Sequence, residues 1–272
     1  MNKHEKLIWH YTSLNTFAKL FEENSKLYAT HYCFLNDNTE YTYAINIFLD
    51  MVKKSSLKNY YKFFTKYFSI GEDMFLFCLS GAKDSLYQWR SYTPAEGGVA
   101  IGFSPKIFFG DELTKIYQTE RTNRTKTLFS QFTPCIYSEN KCRTEFNNLI
   151  KACKTGFNDS IVNNIENTTI PKRISQLASS ISLQAIRYKN PSFKFEKEVR
   201  VIYHKVPREE IHYVGGKPRV PLPYINPQRH MQEVMISPHG DMKRNHLLVE
   251  LLRDSQTLKF LITNSKSSFN GK

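Results

Sequence analysis

The stretch Lys194-Phe195-Glu196-Lys197-Glu198-Val199-Arg200-Val201-Ile202-Tyr203 places two glutamates and an arginine at every second position before an apolar run. Successive side chains of an extended strand point to opposite faces, so Glu196, Glu198 and Arg200 are predicted to share one face. Neighbouring carboxylates raise each other's pKa and are tolerated mainly beside a cation or a substrate. The pattern therefore predicts either a site that uses a carboxylate pair or an edge strand with a Glu–Arg ladder. The opposite face is mostly apolar and is predicted to lie against a core: Phe195, Lys197, Val199 and Val201.

Composition and charge favour a folded, basic protein. The chain has 272 residues, of which 40% are hydrophobic, so it can bury a sizeable core, and we predict one domain over residues 1–272. Lys and Arg number 38 against 25 Asp and Glu, which gives a net charge of +13. This balance predicts a polyanionic partner such as nucleic acid, a phosphorylated cofactor or an acidic protein.

The cysteines and the first residues indicate the compartment. No CxxC pair occurs among the five cysteines, which predicts free thiols in a reducing cytoplasm. The residues before Leu7 contain no long apolar run, so we expect a soluble cytoplasmic protein without a signal peptide or a membrane contact. The eight histidines show no metal-ligand spacing, and we predict no metal.

Short apolar strands and amphipathic helices alternate without a regular βαβ rhythm, which predicts an α+β fold. A polar, less regular section over 107–169 is predicted to be a helical insertion, with a strand near 135–137. Helices are predicted from residue 14 with Thr12 or Ser13 as the N-cap, and over 41–52, 174–186 and 246–252. Further strands are predicted at 7–11, 26–30, 74–79, 99–103, 233–237 and 258–263.

Two polar clusters adjoin the ends of predicted elements. His10 to Ser13 lie where a strand meets a helix N-terminus, whose unpaired N–H groups suit an anion or a carboxamide. A strand-end histidine with ordinary capping hydroxyls is the alternative. Trp89, Arg90 and Tyr92 combine rings with a cation, which suits stacking on a base or a nicotinamide. A core position for Trp89 is the alternative.

Basic residues also surround the two glutamates in sequence. Such a positive field is what a site for a phosphorylated substrate needs, although a solvated basic face explains it equally well. The positive residues are 172, 173, 187, 189, 194, 197, 200 and 205.

Several catalytic signatures are missing from the sequence. It contains no GxxxxGK[ST], no GxGxxG after a strand, no HExxH and no GxSxG. We therefore do not expect an ordinary kinase, Rossmann dehydrogenase, zinc hydrolase or serine hydrolase.

Six short motifs in order resemble a widespread bacterial family, long catalogued as a domain of unknown function, whose members occur in phage-defence loci. The resemblance spans roughly residues 7 to 263. The motifs are His10-Tyr11-Thr12-Ser13, Leu35-Asn36-Asp37 with Glu40, Phe77-Cys78-Leu79-Ser80, Gln88-Trp89-Arg90-Ser91-Tyr92, Gly98-Val99-Ala100-Ile101-Gly102-Phe103 and Glu196-Lys197-Glu198-Val199-Arg200.

The resemblance implies a split-sheet ADP-ribosyltransferase-like core with a late catalytic glutamate. Glu198 is the better catalytic candidate, Glu196 would position or deprotonate the acceptor, and Arg200 would keep both ionised. Tyr11 departs from the glycine that follows the histidine in many such transferases. The residues expected to bind NAD, including a ring that stacks on nicotinamide, are His10, Tyr11, Thr12, Tyr28, Trp89, Tyr92 and Arg200.

The function implied by the resemblance is that of a toxin that transfers ADP-ribose from NAD to RNA, with mRNA as the expected class, and releases nicotinamide in anti-phage defence. NAD would be a co-substrate, and an antitoxin protein and a chaperone-like third component would be partners. Two alternatives stay open: a non-catalytic basic nucleic-acid-binding module, and a metal-independent RNase that uses His10 and Glu198 as acid and base.

Overall fold

The computed structural model describes residues 6–37, 39–71, 73–108, 129–154, 172–222 and 225–267. They form two compact units. Unit 1 lies within residues 1–31, 74–134 and 195–272, and unit 2 within 32–73 and 135–194. Unit 2 is thus built from two separate stretches, of which the second overlaps the predicted insertion at 107–169. Residues 109–128 and 155–169 of that insertion lie outside the described residues.

Unit 1 is a mixed, mostly antiparallel sheet with short helices, which confirms the predicted α+β class. The described strands are β1 (Ile8–Ser13), β2 (Tyr28–His31), β3 (Met74–Ser80), β4 (Gly98–Phe103), β5 (Phe129–Pro134), β6 (Glu198–His204), β7 (His212–Val214), β8 (Lys217–Pro221), β9 (Met231–Ile236) and β10 (Leu261–Asn264). The helices of unit 1 are α1 (Leu14–Lys19), α4 (Leu86–Tyr92), α7 (Pro227–His230) and α8 (Met242–Ser255).

The sheet divides at β3. The main strand order is β10-β9-β4-β1-β3-β2-β8-β7, while β6 pairs with β3 and β5 outside this path. β6 pairs with β3 along its whole length, so β1 and β2 must share the opposite edge. β1 meets that edge at Ser80 and β2 meets it at Phe75 and Leu76. The intervening positions 77–79 lie between two diverging strands, a feature that we call the fork.

Two predicted strands differ from the structure. The charged strand begins at Glu198, because residues 191–196 form a 3-10 helix and Lys197 then takes the left-handed φ of +45°. The strand predicted near 135–137 lies earlier, at β5. Within 135–137, Ile136 makes an isolated bridge to Tyr188.

The two faces of the sheet carry different cores. One face holds the larger cluster, with Ile8, Phe77, Phe103, Val201 and Val234 among its members. The opposite face holds a smaller cluster formed by Trp9, Tyr11, Trp89, Ala100 and Met235. Ser13 is the N-cap of α1, as predicted, and accepts a hydrogen bond from the Thr16 amide at 3.1 Å.

Unit 2 is helical and has an aromatic core. Its helices are α2 (Glu40–Lys53), α3 (Tyr61–Ile70), α5 (Glu139–Lys154) and α6 (Lys172–Ala185). The Phe48 ring makes edge contacts with Phe64, Phe68 and Phe146 at centroid distances of 5.1, 5.7 and 5.8 Å. The Tyr41 hydroxyl lies 2.7 Å from that of Ser182 on α6. Among the described residues, none of the helices is long and apolar enough to span a bilayer.

Gly98 provides a test of how closely β1, β4 and α4 pack. A Cβ there would lie 2.4 Å from the Thr12 carbonyl oxygen and 2.5 Å from Thr93 Cγ2. We expect Gly98→Ala to lower the free energy of unfolding by about 3 kcal/mol, the upper part of the range for overpacking. Urea denaturation measures this. Gly81→Ala is the control, since its Cβ would lie 3.4 Å from the nearest atom, and equal losses in both variants would contradict the packing.

Candidate functional site

Glu198 and Arg200 form a buried ion pair at the start of β6. The Arg200 side chain is fully buried and that of Glu198 is 5% exposed. Arg200 Nε lies 2.7 Å from Glu198 Oε1, and Nη2 lies 3.1 Å from Oε2. This is a bidentate, charge-assisted contact, the geometry that compensates best for removing both charges from water. The carboxylate is therefore fixed in position.

The backbone beside the ion pair is anchored from β3 and α4. The Glu196 carbonyl accepts hydrogen bonds from Ser80 Oγ at 2.6 Å and Gln88 Nε2 at 3.1 Å. The Gly81 amide donates to the Lys197 carbonyl at 2.7 Å. These contacts hold the turn that precedes β6.

The prediction of which side chains share a face is correct within β6 and wrong for the residues that precede β6. Glu196 is buried, but it ends a 3-10 helix and does not share a strand face with Glu198. Phe195, predicted to face the core, is 62% exposed, because the positive φ of Lys197 breaks the alternation. Val199 and Val201 do join the larger core cluster.

His10 contacts the fork. Its Nδ1 lies 3.2 Å from the Cys78 carbonyl oxygen, and its ring packs on Phe77 at a centroid distance of 4.8 Å. Because a carbonyl only accepts, Nδ1 carries the proton and Nε2 of the neutral ring is an acceptor. Burial lowers the pKa of His10 from its ordinary value of 6.5, and the hydrogen bond to Cys78 opposes this shift in part.

His10 and Glu198 lie near each other in the sheet but on opposite faces. Trp9, Ser80 and Glu198 are register partners across β1, β3 and β6. His10 follows Trp9, so its Cα lies about 10 Å from that of Glu198, two strand spacings away. Alternation places Glu198 on the face of Trp9 and His10 on the face of Phe77. The RNase alternative, with His10 and Glu198 as one acid–base pair, would require both side chains on one face.

Tyr11 and Trp89 are core residues. The Tyr11 hydroxyl donates to the Ala82 carbonyl at 2.8 Å and accepts from the Ser85 amide at 3.1 Å, and burial raises its pKa to about 12. The Trp89 ring is fully buried, and its Nε1 donates to Asp84 at 2.8 Å. Neither ring has a face open to nicotinamide, which corrects the stacking prediction and confirms the core alternative for Trp89.

The other predicted NAD-binding residues are distributed over the sheet. Tyr28 on β2 is half-buried and, by register, shares the face of Glu198. Tyr92 ends α4 with 37% of its surface exposed, and Thr12 is buried on the face of His10. Tyr28 and Tyr92 are thus the predicted rings that retain accessible surface.

The positive field predicted from residues 172–205 is partly used for internal contacts. Lys189 is buried, with Nζ 4.9 Å from the Phe193 ring centroid. Arg187 lies 3.8 Å from Glu145. Within the described chain, no group of three or more His, Cys, Asp or Glu side chains is placed to hold a metal ion.

Sequence reasoning gave no role to a second buried carboxylate on the face of Glu198. Glu233 is the register partner of Gly102, which is in turn the partner of Trp9. Lys83 Nζ lies 2.7 and 3.0 Å from the Glu233 oxygens and 5.2 Å from the Trp9 ring centroid. No short-range pattern links residue 83 to residue 233. Ser80 and Gln88 belong to the motifs quoted above, but their hydrogen bonds to the Glu196 carbonyl could be seen only in the folded structure.

Comparison with known proteins identifies part of the chain. Residues 88–201 match the family model described as "Protein of unknown function (DUF2971)". The chain contains a DUF2971 domain. The DUF2971 match runs from Gln88 in α4 to Val201 in β6 and includes Trp89, Glu198 and Arg200. His10 and Tyr28 lie outside it. No curated protein and no solved structure matches the chain.

The ion pair of the DUF2971 domain can be tested by a double-mutant cycle. Arg200→Met leaves the Glu198 carboxylate buried without its cation, and we expect it to lower the free energy of unfolding by about 3–5 kcal/mol. Adding Glu198→Gln removes the uncompensated charge, so the double variant should recover most of that loss. Urea denaturation of the four proteins measures the coupling. Additive losses would contradict a buried, mutually compensating pair.

The lowered pKa of His10 predicts how the contribution of this residue to the free energy of unfolding changes with pH. Since the folded pKa lies below 6.5, the unfolded chain takes up a proton first as the pH falls. The stability difference between wild type and His10→Gln should be constant above about pH 7.5 and shrink as the pH falls below 6.5. Thermal unfolding at several pH values measures this difference. A difference that grows in acid would contradict the assignment.

Proposed function

We propose that this chain is an NAD-dependent ADP-ribosyltransferase that modifies RNA and releases nicotinamide. The observation that carries the proposal is the Glu198 carboxylate, fixed by Arg200 at the start of a strand and buried within the DUF2971 domain. Further support comes from the resemblance to the phage-defence family that includes CmdT, the toxin of a toxin–antitoxin–chaperone system that transfers ADP-ribose from NAD to mRNA. The net charge of +13 fits a polyanionic acceptor.

In the proposed reaction the bond between nicotinamide and its ribose breaks, and the same ribose carbon bonds to a nucleophilic atom of RNA. Nicotinamide leaves as positive charge develops on the ribose. A fixed carboxylate stabilises that charge electrostatically, by the logic that applies in glycosidases. Each Glu198 oxygen accepts one hydrogen bond from Arg200, and in the proposed reaction the carboxylate also accepts one from the ribose 2′-hydroxyl. The proton of the acceptor passes to Glu196.

The geometry changes the role proposed for His10. Because its side chain lies on the other face from Glu198, we assign it to positioning: it acts through the Cys78 carbonyl and holds β1 against β3 at the fork. Tyr28 and Tyr92 are the remaining candidates for stacking on nicotinamide. The opposed faces also argue against an RNase in which His10 and Glu198 act as one acid–base pair.

A non-catalytic RNA-binding module is the second candidate. It is favoured by the engagement of both Glu198 oxygens with Arg200, an arrangement that structural ion pairs share. In either case the antitoxin and the chaperone-like component are proposals that rest on the family resemblance, and the cytoplasmic location is a proposal that rests on the five cysteines without a CxxC pair.

Incubation of the purified chain with labelled NAD and RNA tests the transferase. We expect labelled RNA and free nicotinamide, and a rate about 100- to 1,000-fold lower for Glu198→Gln, the cost of removing one transition-state-stabilising group. Glutamine keeps an oxygen for Arg200, and a melting curve checks that the variant folds. Glu22→Gln, at an exposed loop position, is the matched control.

Two outcomes decide between the candidates. Equal rates for wild type and a folded Glu198→Gln variant would remove Glu198 from catalysis. If NAD fails to raise the melting temperature of wild type and no RNA is labelled, the non-catalytic module is favoured, since a ligand of the native state must stabilise it.

A further inference from the structure

The connection from α2 to α3 in unit 2 carries lysines without acidic residues. Between residues 51 and 71 the sequence contains five lysines and no aspartate or glutamate. All five side chains are exposed, including those in the helices. They are Lys53, Lys54, Lys58, Lys62 and Lys66.

Three of these lysines lie on α3 and on the turn that leads into it. Lys62 and Lys66 are four residues apart in the helix, and Lys58 lies four residues earlier, in the 3-10 turn that leads into it. Within the α-helix, Lys62 and Lys66 lie on the same side and are separated by a rise of about 6 Å. Phe64 and Phe68 are buried in the core. We call Lys58, Lys62 and Lys66 the lysine row.

The charges of the lysine row are not compensated within the described part of the chain. Lys53 is 3.6 Å from Asp50 and 5.1 Å from the Tyr61 ring centroid. No ion pair or side-chain hydrogen bond is found for Lys54, Lys58, Lys62 or Lys66 among the described residues. Like charges four residues apart destabilise a helix by about 0.2–0.5 kcal/mol per pair. The arrangement opposes helix stability and is explained if an external anion relieves it.

Three other cations of unit 2 have partners. Arg143 Nη2 lies 2.7 Å from Glu139, and Arg187 lies 3.8 Å from Glu145. Lys189 is buried over a phenylalanine ring. The lysine row therefore differs from these three residues in pairing.

We propose that the lysine row is the surface that holds the phosphates of a single RNA strand, a proposal that rests on the proposed function by naming where its acceptor binds. A cluster of exposed point charges suits the high charge density of a polyphosphate backbone. The exposed hydroxyls of α3 donate within the helix, Thr65 to the Tyr61 carbonyl and Ser69 to the Lys66 carbonyl, so the proposed contact with phosphate is made by the lysines. Apart from Ile70, the exposed face of α3 is polar, which disfavours insertion into a membrane surface.

The proposal assigns the two units different tasks. Unit 1 holds the buried carboxylate that acts on NAD, and unit 2 supplies the electrostatic contact with RNA. Binding through the lysine row is independent of RNA sequence, because phosphates carry no base identity.

Binding of a fluorescent 20-nucleotide RNA, measured by anisotropy without NAD between about 50 and 300 mM salt, tests the row. The variant carries Lys58→Gln, Lys62→Gln and Lys66→Gln, which keep helix propensity. Each lost contact removes about 0.7 from the slope of log affinity against log salt. We therefore expect the slope to fall by about 2 and the affinity at about 0.1 M salt to fall by about 100-fold.

A second triple variant controls for net charge. Lys19→Gln, Lys243→Gln and Lys259→Gln remove the same three charges from exposed positions of unit 1. We expect the RNA affinity of this control to stay within about threefold of wild type. Its three substitutions reduce the overall positive potential but remove no direct contact with phosphate. Equal losses in both triple variants, or no loss in the row variant, would overturn the proposal. The proposal would also be overturned if the row variant lost binding to phosphatidylserine vesicles but bound RNA as tightly as wild type.

The RNA-binding measurement, combined with the NAD labelling and thermal-shift assays, separates this proposal from the proposed function. If wild type binds RNA through the row but NAD gives neither a thermal shift nor labelled RNA, the transferase fails and the surface stands. If RNA is labelled by wild type and by the row variant at equal rates and affinities, the surface fails and the transferase stands.

Discussion

A guanidinium and a carboxylate without access to water impose a strict geometric requirement on unit 1. Arg200 and Glu198 lie two residues apart on β6, so the strand itself brings them together in a bidentate contact. Leaving either charge alone in the interior costs several kcal/mol. The start of β6 is accordingly fixed by three hydrogen bonds from β3, the following glycine and α4, donated by Ser80, Gly81 and Gln88. The DUF2971 match covers this ion pair and its contact from α4.

The fork is the second constraint on the site. Where β1 and β2 diverge from the edge of β3, the backbone loses strand partners, and buried peptide groups need replacements. The His10 imidazole supplies one by donating to the Cys78 carbonyl. This contact requires Nδ1 to carry the proton and burial favours the neutral ring, so the structural role and the protonation state of His10 are linked. A direct contact between His10 and a ligand on the Glu198 face does not follow from this arrangement.

Sequence patterns predicted the positions of the strands and helices better than the contacts between them. Apolar runs and helical stripes correctly predicted the positions of β3, β4 and α2, and the capping hydroxyl of Ser13 was found from its position before an apolar helix. The alternation argument held for Glu198, Arg200 and Val201 because these lie within a regular strand. It failed at Phe195, since one left-handed residue, Lys197, reverses the direction in which the preceding side chains point.

The sequence alone determined the basic charge, the α+β class and the carboxylate–arginine spacing, because composition and local periodicity are properties of short stretches. Only the tertiary structure decided that Tyr11 and Trp89 are core residues, that Glu233 pairs with Lys83, and that His10 faces away from Glu198. These relations depend on register between strands distant in the chain. A shift of one residue in register moves a side chain to the other face, and no local pattern records which register forms.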